Sequence, residues 1–141
     1  MNNYYLALDV GSKTIGLASS HGVIATARGV LRFPEEDFQQ AASQVVNLIT
    51  TEKFSHLIVG YPKNMNNTIG PRAKMVEEFI AILKTKLGNL VIPIILVDER
   101  LTTHQSHQIM LEANLSRAKR KQKKDSLAAQ LILETYLSKQ K

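Results

Sequence analysis

The chain has no cysteine, no tryptophan and only four prolines among its 141 residues. Without cysteine there can be no disulfide, no thiolate zinc site and no cysteine nucleophile, and the expectation is a reducing, cytoplasmic setting. Aromatic residues make up 6% and do not interleave with basic ones, so base stacking is not a strong theme and recognition of a nucleic acid should run through backbone and shape. No apolar run reaches the length that crosses a bilayer. The N-terminus lacks the charged, apolar and small-residue regions of a secretory signal, so none is expected. No Walker-type glycine loop is present, and Ser12, Ser19 and Ser20 lack the context of a nucleophile elbow.

What is present is enough for one domain over residues 1–141. The composition is 44% hydrophobic, which can fill a core, and the formal net charge of +6 with a pI near 9.7 suggests an anionic partner. There are no internal repeats and no linker. The apolar pattern predicts strands at Tyr4–Val10, Ile15–Ser20 and Val23–Phe33, the first two joined by a turn at Gly11–Lys13. Pro34 breaks the chain, and an amphipathic helix is expected over Asp37–Thr50. Then come a strand at His56–Gly60, the loop "YPKNMNNTIGPR", a helix opening at Pro71 and a strand at Ile92–Val97. Thr102 or Thr103 could cap a helix to about Ala113, "SRAKRKQKK" reads as a basic loop, and Asp125–Leu137 as the last helix. Three antiparallel strands followed by two reached through helices predict an α/β fold: a mixed five-stranded sheet flanked by helices.

In such a sheet the first strand is central, and ligands gather at the carboxyl ends of the parallel strands. Asp9 closes the first strand, Asp98 and Glu99 close the last, and Asp125 begins the final helix. Each has an ordinary explanation: a turn at Gly11, an exposed ion pair with Arg100, a helix cap. Together they make an acidic cluster, which repels itself unless a cation is present, and hard oxygen ligands select Mg²⁺ or Mn²⁺. Two such ions can activate water and stabilise the leaving oxygen of a phosphodiester. The basic stretch Arg117–Lys124 precedes Asp125 directly, and Arg117, Lys119, Arg120 and Lys121 are expected to bind phosphate. Lys63, Asn64, Arg72 and Lys74, around the Gly70–Pro71 turn, are candidates for the same role. His104 and His107 lie three apart, but without matched ligands a zinc site is not expected.

The stretches "LDVGSKTIGLA", "VGYPKNMNNTIGPRA", "DERLTT" and "SRAKRKQKKDSLAAQLILETYL" resemble, in order and spacing, the four motifs of the YqgF family of RNase H-like proteins, also called RuvX. The resemblance runs from about Leu6 to Leu137. It implies an RNase H-like fold and a metal-dependent nuclease, an endo- or exonuclease that matures the 5′ end of precursor 16S ribosomal RNA in ribosome biogenesis. Holliday junction resolution is the family's older proposed role. It implies Asp9, Glu99 and Asp125 as the metal-binding and catalytic set, with Asp98 the rival to Glu99, since alternation along a strand sends only one of that pair toward the cluster. Lys13 and Arg100, within the motifs, join the expected nucleic-acid contacts. The implied partner is structured RNA (pre-rRNA) or branched DNA, with no membrane, and the chain acts as a monomer or weak homodimer. Two departures stand out: Thr14 where many relatives have arginine, and Asn66-Asn67 where they commonly have Asp-Gly. The segment "GYPKN" also offers no acid where better-known RNase H-like resolvases have one, so Glu99 would substitute. Two readings of other classes stand beside this one. Aspartate, glycine and a hairpin also occur in actin-like ATPases, but those need two such domains to enclose ATP. A nucleic-acid-binding module without catalysis is the other.

Overall fold

The computed structural model of the chain describes residues 3–62, 70–98 and 117–139; in the last segment side chains are described from residue 126 onward. Five strands form one sheet: β1 (Tyr5–Val10), β2 (Thr14–Ser20), β3 (Thr26–Arg32), β4 (His56–Tyr61) and β5 (Ile94–Asp98). Their order is β3-β2-β1-β4-β5, so β1 is central. β1 pairs antiparallel with β2, and β2 with β3, while β4 runs parallel to β1 and β5 parallel to β4. This is the mixed sheet expected from the order of elements. The helices are α1 (Phe38–Glu52), α2 (Pro71–Leu87) and α3 (Arg117–Ser138). The predicted helix from Thr102 or Thr103 to Ala113 lies outside the described residues.

The central strand is buried on both sides, because alternate residues feed two separate cores. Leu6, Leu8 and Val10 pack with Ile15, Leu17, Leu57 and Val59 against α1 and α2. Tyr5 and Ala7 pack with Ala18, Ile58 and Val97 against Ala129, Ile132, Leu133 and Leu137 of α3. Those four α3 residues recur at helical spacing and form one stripe. Full burial of Ile132 or Leu133 contributes about 1.5–3 kcal/mol each.

Local chemistry explains the ends of the elements. Asp37 caps α1, its carboxylate accepting the Gln40 N–H at 3.2 Å, and Lys53 closes the helix in the left-handed region at φ 62°. Pro71 opens α2 with Gly70 as its cap. Two expected boundaries move. β3 starts at Thr26 rather than Val23, because Val23 and Ile24 are 87% and 74% exposed at the tip of the hairpin. The basic stretch expected as a loop is helical: α3 begins at Arg117, eight residues before the predicted start. Its Lys, Arg, Gln and Ala residues are all good helix formers, and no Gly or Pro interrupts them. The helix-cap explanation of Asp125 falls with that boundary, since the residue lies inside α3.

β3 contains a bulge. Val30 is level with Gly16 and Ala27 with Ala18, so Arg28 and Gly29 together face the single residue Leu17. Gly29 takes φ 84°, which a side chain would resist. The extra residue resets the alternation, so that Arg28 and Leu31 both reach the α1 side of the sheet. There Arg28 grips Glu52 at the end of α1 with both guanidinium nitrogens, at 2.6 and 2.7 Å. The Tyr4 hydroxyl donates to the same carboxylate at 3.1 Å, and the Tyr4 ring is stacked between His21 and Phe54.

The Arg28 hydrogen bond is the main cause holding the Glu52 carboxyl below its ordinary pKa. A lowered folded-state value means stability that is present above the unfolded pKa and lost as pH falls through the folded one. Glu52→Gln should therefore cost up to about 1 kcal/mol at neutral pH, the scale of a partly exposed ion pair. It should also flatten the acid limb of stability below about pH 4.5. Urea melts of both proteins from neutral to acid pH check this; equal acid limbs would show that the ion pair contributes nothing.

Candidate metal and nucleic-acid site

Asp9 is the fifth residue of β1, at the carboxyl end of the central strand. Alternation puts it on the α3 side, following Tyr5 and Ala7. Its neighbour across β2 on that face is Gly16, and on the β4 side Gly60 follows Val59, which is level with Leu8. The floor around Asp9 therefore has glycine on either hand. Asp9 is half-buried, and its carboxylate has no hydrogen-bond donor and no cation within reach among the described residues. A partly desolvated carboxylate without a partner is unfavourable, and a bound cation would relieve it.

Asp98 is placed differently. It is level with Tyr61 at the ends of β5 and β4. Ile95 and Val97 face α3, whereas Ile94 packs on the α1–α2 side, so Asp98 falls on the side opposite Asp9. Glu99 itself lies outside the described residues.

Asp125 enters through α3. The helix runs antiparallel to β1: the Tyr136 ring meets Tyr5, at the start of the strand, with 5.7 Å between centroids. From Tyr136 back to position 125 the helix rises about 16 Å, while Tyr5 to Asp9 spans about 13 Å of strand. Position 125 thus comes level with the Asp9 end of the sheet. It is also one turn before Ala129 along the helix. The next residue, Ser126, is buried. The structure brings Asp9 and position 125 to one edge and one face, and sends Asp98 to the other face. Among the described residues no three ligating side chains form a cluster; Glu99 and the side chain of Asp125 are outside that set.

The expected basic contacts divide similarly. Lys13 is exposed in the β1–β2 turn, at the Asp9 end. Arg72 and Lys74 are exposed in the first turn of α2. That turn is at the same end of the sheet, because the Tyr61 hydroxyl donates to Glu77 Oε1 at 3.0 Å and so ties α2 to the end of β4. Arg117, Lys119, Arg120 and Lys121 occupy the first turns of α3, where no acidic residue offsets the positive end of the helix dipole. Lys63, Asn64, Arg100, His104 and His107 lie outside the described residues.

A family profile described as RuvX, Holliday junction resolvase, matches residues 3–139. The chain belongs to this family. Relatives include a protein of Mesoplasma florum, 50% identical over 137 residues covering 95% of each chain, and one of Mycoplasma capricolum, 49% identical over 145 residues covering 100% of this chain and 99% of the relative. Both bear the name "Putative pre-16S rRNA nuclease". Among solved structures, Thermus thermophilus RuvC in complex with a Holliday junction substrate superposes with a TM-score of 0.62 over 95% of this chain and 94% of that one, at 12% identity. At that identity the likeness establishes the RuvC-like RNase H fold of the family member described here.

Sequence reasoning passed over the Tyr61–Glu77 bond, for which an aromatic at a strand end before a helical glutamate is a weak signal. Burial first, then the glutamate, raises the Tyr61 pKa above the ordinary phenol value. In an alkaline ultraviolet titration, Tyr61→Phe should remove a late-ionising phenol, and Glu77→Gln should make that phenol ionise earlier without restoring the ordinary value. A Glu77→Gln titration identical to wild type would show that the bond does not form.

Proposed function

We propose that this protein is a divalent-metal-dependent nuclease that hydrolyses phosphodiester bonds of precursor 16S ribosomal RNA in the cytoplasm, with Asp9, Glu99 and Asp125 as its metal-holding and catalytic carboxylates. The observation behind this reading is the half-buried Asp9 carboxylate at the end of the central strand, without a partner among the described residues and level with position 125 on the helix that crosses the same face. Family membership supports hydrolysis of a nucleic acid, and the names of the relatives support the RNA substrate.

The donor set fits the group. Three carboxylates with no sulfur or imidazole suit Mg²⁺ or Mn²⁺, which supply a Lewis acid and an activated water. The chain's own residues do the rest. Asp9 is fixed by strand pairing on both sides of β1, so it can hold its ligand with little reorganisation. The sheet floor beside it has no bulky side chain at Gly16. Lys13, Arg72 and Lys74, exposed at the carboxyl edge, are cations that can attract and orient a polyanion, a role the basic sequence at the start of α3 would share.

Purified protein, with Mn²⁺ or with EDTA, offered a pre-16S 5′-leader RNA and a four-way DNA junction, tests the reading. The expected outcome is Mn²⁺-dependent cleavage of the RNA; cleavage of the junction alone would move the substrate to DNA, and cleavage of neither would remove the nuclease assignment. Asp9→Asn should lower the cleavage rate by on the order of 10²–10³, as for the loss of a preorganised electrostatic contact, while the fold is kept.

The two acids at the end of β5 should separate as well. Glu99→Gln should reduce cleavage under saturating Mg²⁺ more than Asp98→Asn, because position 98 faces away from Asp9. A larger loss for Asp98→Asn would reverse the assignment.

A further inference from the structure

β3 carries two arginines in similar sequence surroundings, and the bulge at Arg28–Gly29 gives them opposite fates. Arg28 turns to the α1 side and is held by Glu52. Arg32, beyond the bulge, lies between Leu31 and Phe33, which both pack on the α1–α2 side. Arg32 therefore belongs to the α3 side, the side of Asp9. It is level with Thr14, at the end of the sheet where Asp9 lies. Its residue is exposed, and its guanidinium makes no ion pair among the described residues, neither with Glu35 nor with Glu36 close by in sequence.

The backbone at Arg32 is held in place beside the β1–β2 turn. The Phe33 N–H donates to the Lys13 carbonyl at 3.0 Å, which ties the end of β3 to the β1–β2 turn. Asp9 is level with Gly16, and Gly16 with Val30, so Arg32 lies two strands over and two residues further along. Those steps, about 10 Å across and about 7 Å along, place it roughly 12 Å from Asp9. That is about three to four nucleotides of a stacked strand at ~3.4 Å each.

We propose that Arg32 binds a backbone phosphate a few nucleotides from the scissile bond, so that the substrate strand leaves Asp9 across the β1–β2 turn toward the β3 edge. Arg32 is a positioning residue: it acts on the flank of the substrate and touches none of the reacting atoms. The inference rests on the nuclease reading and adds the direction in which the substrate crosses the sheet.

Binding is measured apart from cleavage, with a fluorescein-labelled single-stranded RNA in EDTA, by anisotropy at several salt concentrations. Arg32→Gln should lower the slope of log affinity against log salt by about 0.7 and weaken binding about five-fold at ~0.1 M salt. Arg32→Lys should keep the slope, which a purely structural role for the arginine would not predict. Arg28→Gln, on the other face, should leave the slope unchanged and lower only the melting temperature. If wild type binds with a clear salt slope and Arg32→Gln matches it, this proposal is wrong and the nuclease reading stands. If wild type shows no salt-dependent binding, both fall.

Discussion

The structure depends on the burial of β1 from both sides. A strand in the middle of a mixed sheet, with one core on each face, has no freedom to slip: a one-residue shift would exchange Leu6 and Leu8 for Tyr5 and Ala7 and empty one core while overfilling the other. Leu6, Leu8 and Val10 lie under α1 and α2, and Tyr5 and Ala7 lie with Ala18, Ile58 and Val97 under α3. The alternation fixes the register of Asp9, the next residue on the α3 face. The position of the carboxylate is thus a consequence of packing along the whole strand rather than of its immediate neighbours.

The same division of faces explains how much the sequence revealed. Asp9 was legible because a carboxylate in an apolar strand before a glycine is conspicuous, and the order of strands was legible because the connections allow few others. The Asp98–Glu99 choice was open from sequence, since alternation says that the two diverge but not which face is which; Val97 among the α3 contacts supplies the missing fact for position 98. The basic stretch was misread for a different reason. Charge density suggests a loop, but charge does not oppose helix formation, and Lys, Arg and Gln extend a helix already anchored by Ile132 and Leu133. Val23 and Ile24 erred in the opposite sense: apolar, β-branched residues suggested strand where the chain turns at Gly22, whose φ is 111°. The role of Arg32 was hidden by the bulge, because simple alternation from Ala27 would put residue 32 on the α1 side. Gly29 was the only sign of it in the sequence.

The bulge also bears on the outer edge of the sheet. An edge strand offers unpaired backbone groups to any other strand, and bulges and charged side chains are common protections. β3 has both. Arg28 serves the fold, tying the edge strand to α1 through Glu52, and Arg32 leaves its charge for something outside the chain. A single extra residue therefore separates a structural cation from a free one on the same strand.

That separation fits the wider distribution of charge. The guanidinium of Arg28, paired with Glu52, lies beside the Tyr4 hydroxyl, away from Asp9. Lys13, Arg32, Arg72 and Lys74 lie at the other end, with no ion pair among the described residues. Net positive charge costs a folded protein some self-repulsion, and that cost is greatest where like charges gather. Here they lie at the same end as Asp9, whose half-buried carboxylate has no partner among the described residues. The exposed cations are hydrated, whereas the half-buried Asp9 carboxylate is partly desolvated. A metal ion on Asp9 and a phosphodiester chain on the surrounding cations would satisfy both sets at once, because the phosphate oxygens can serve the metal and the basic groups together.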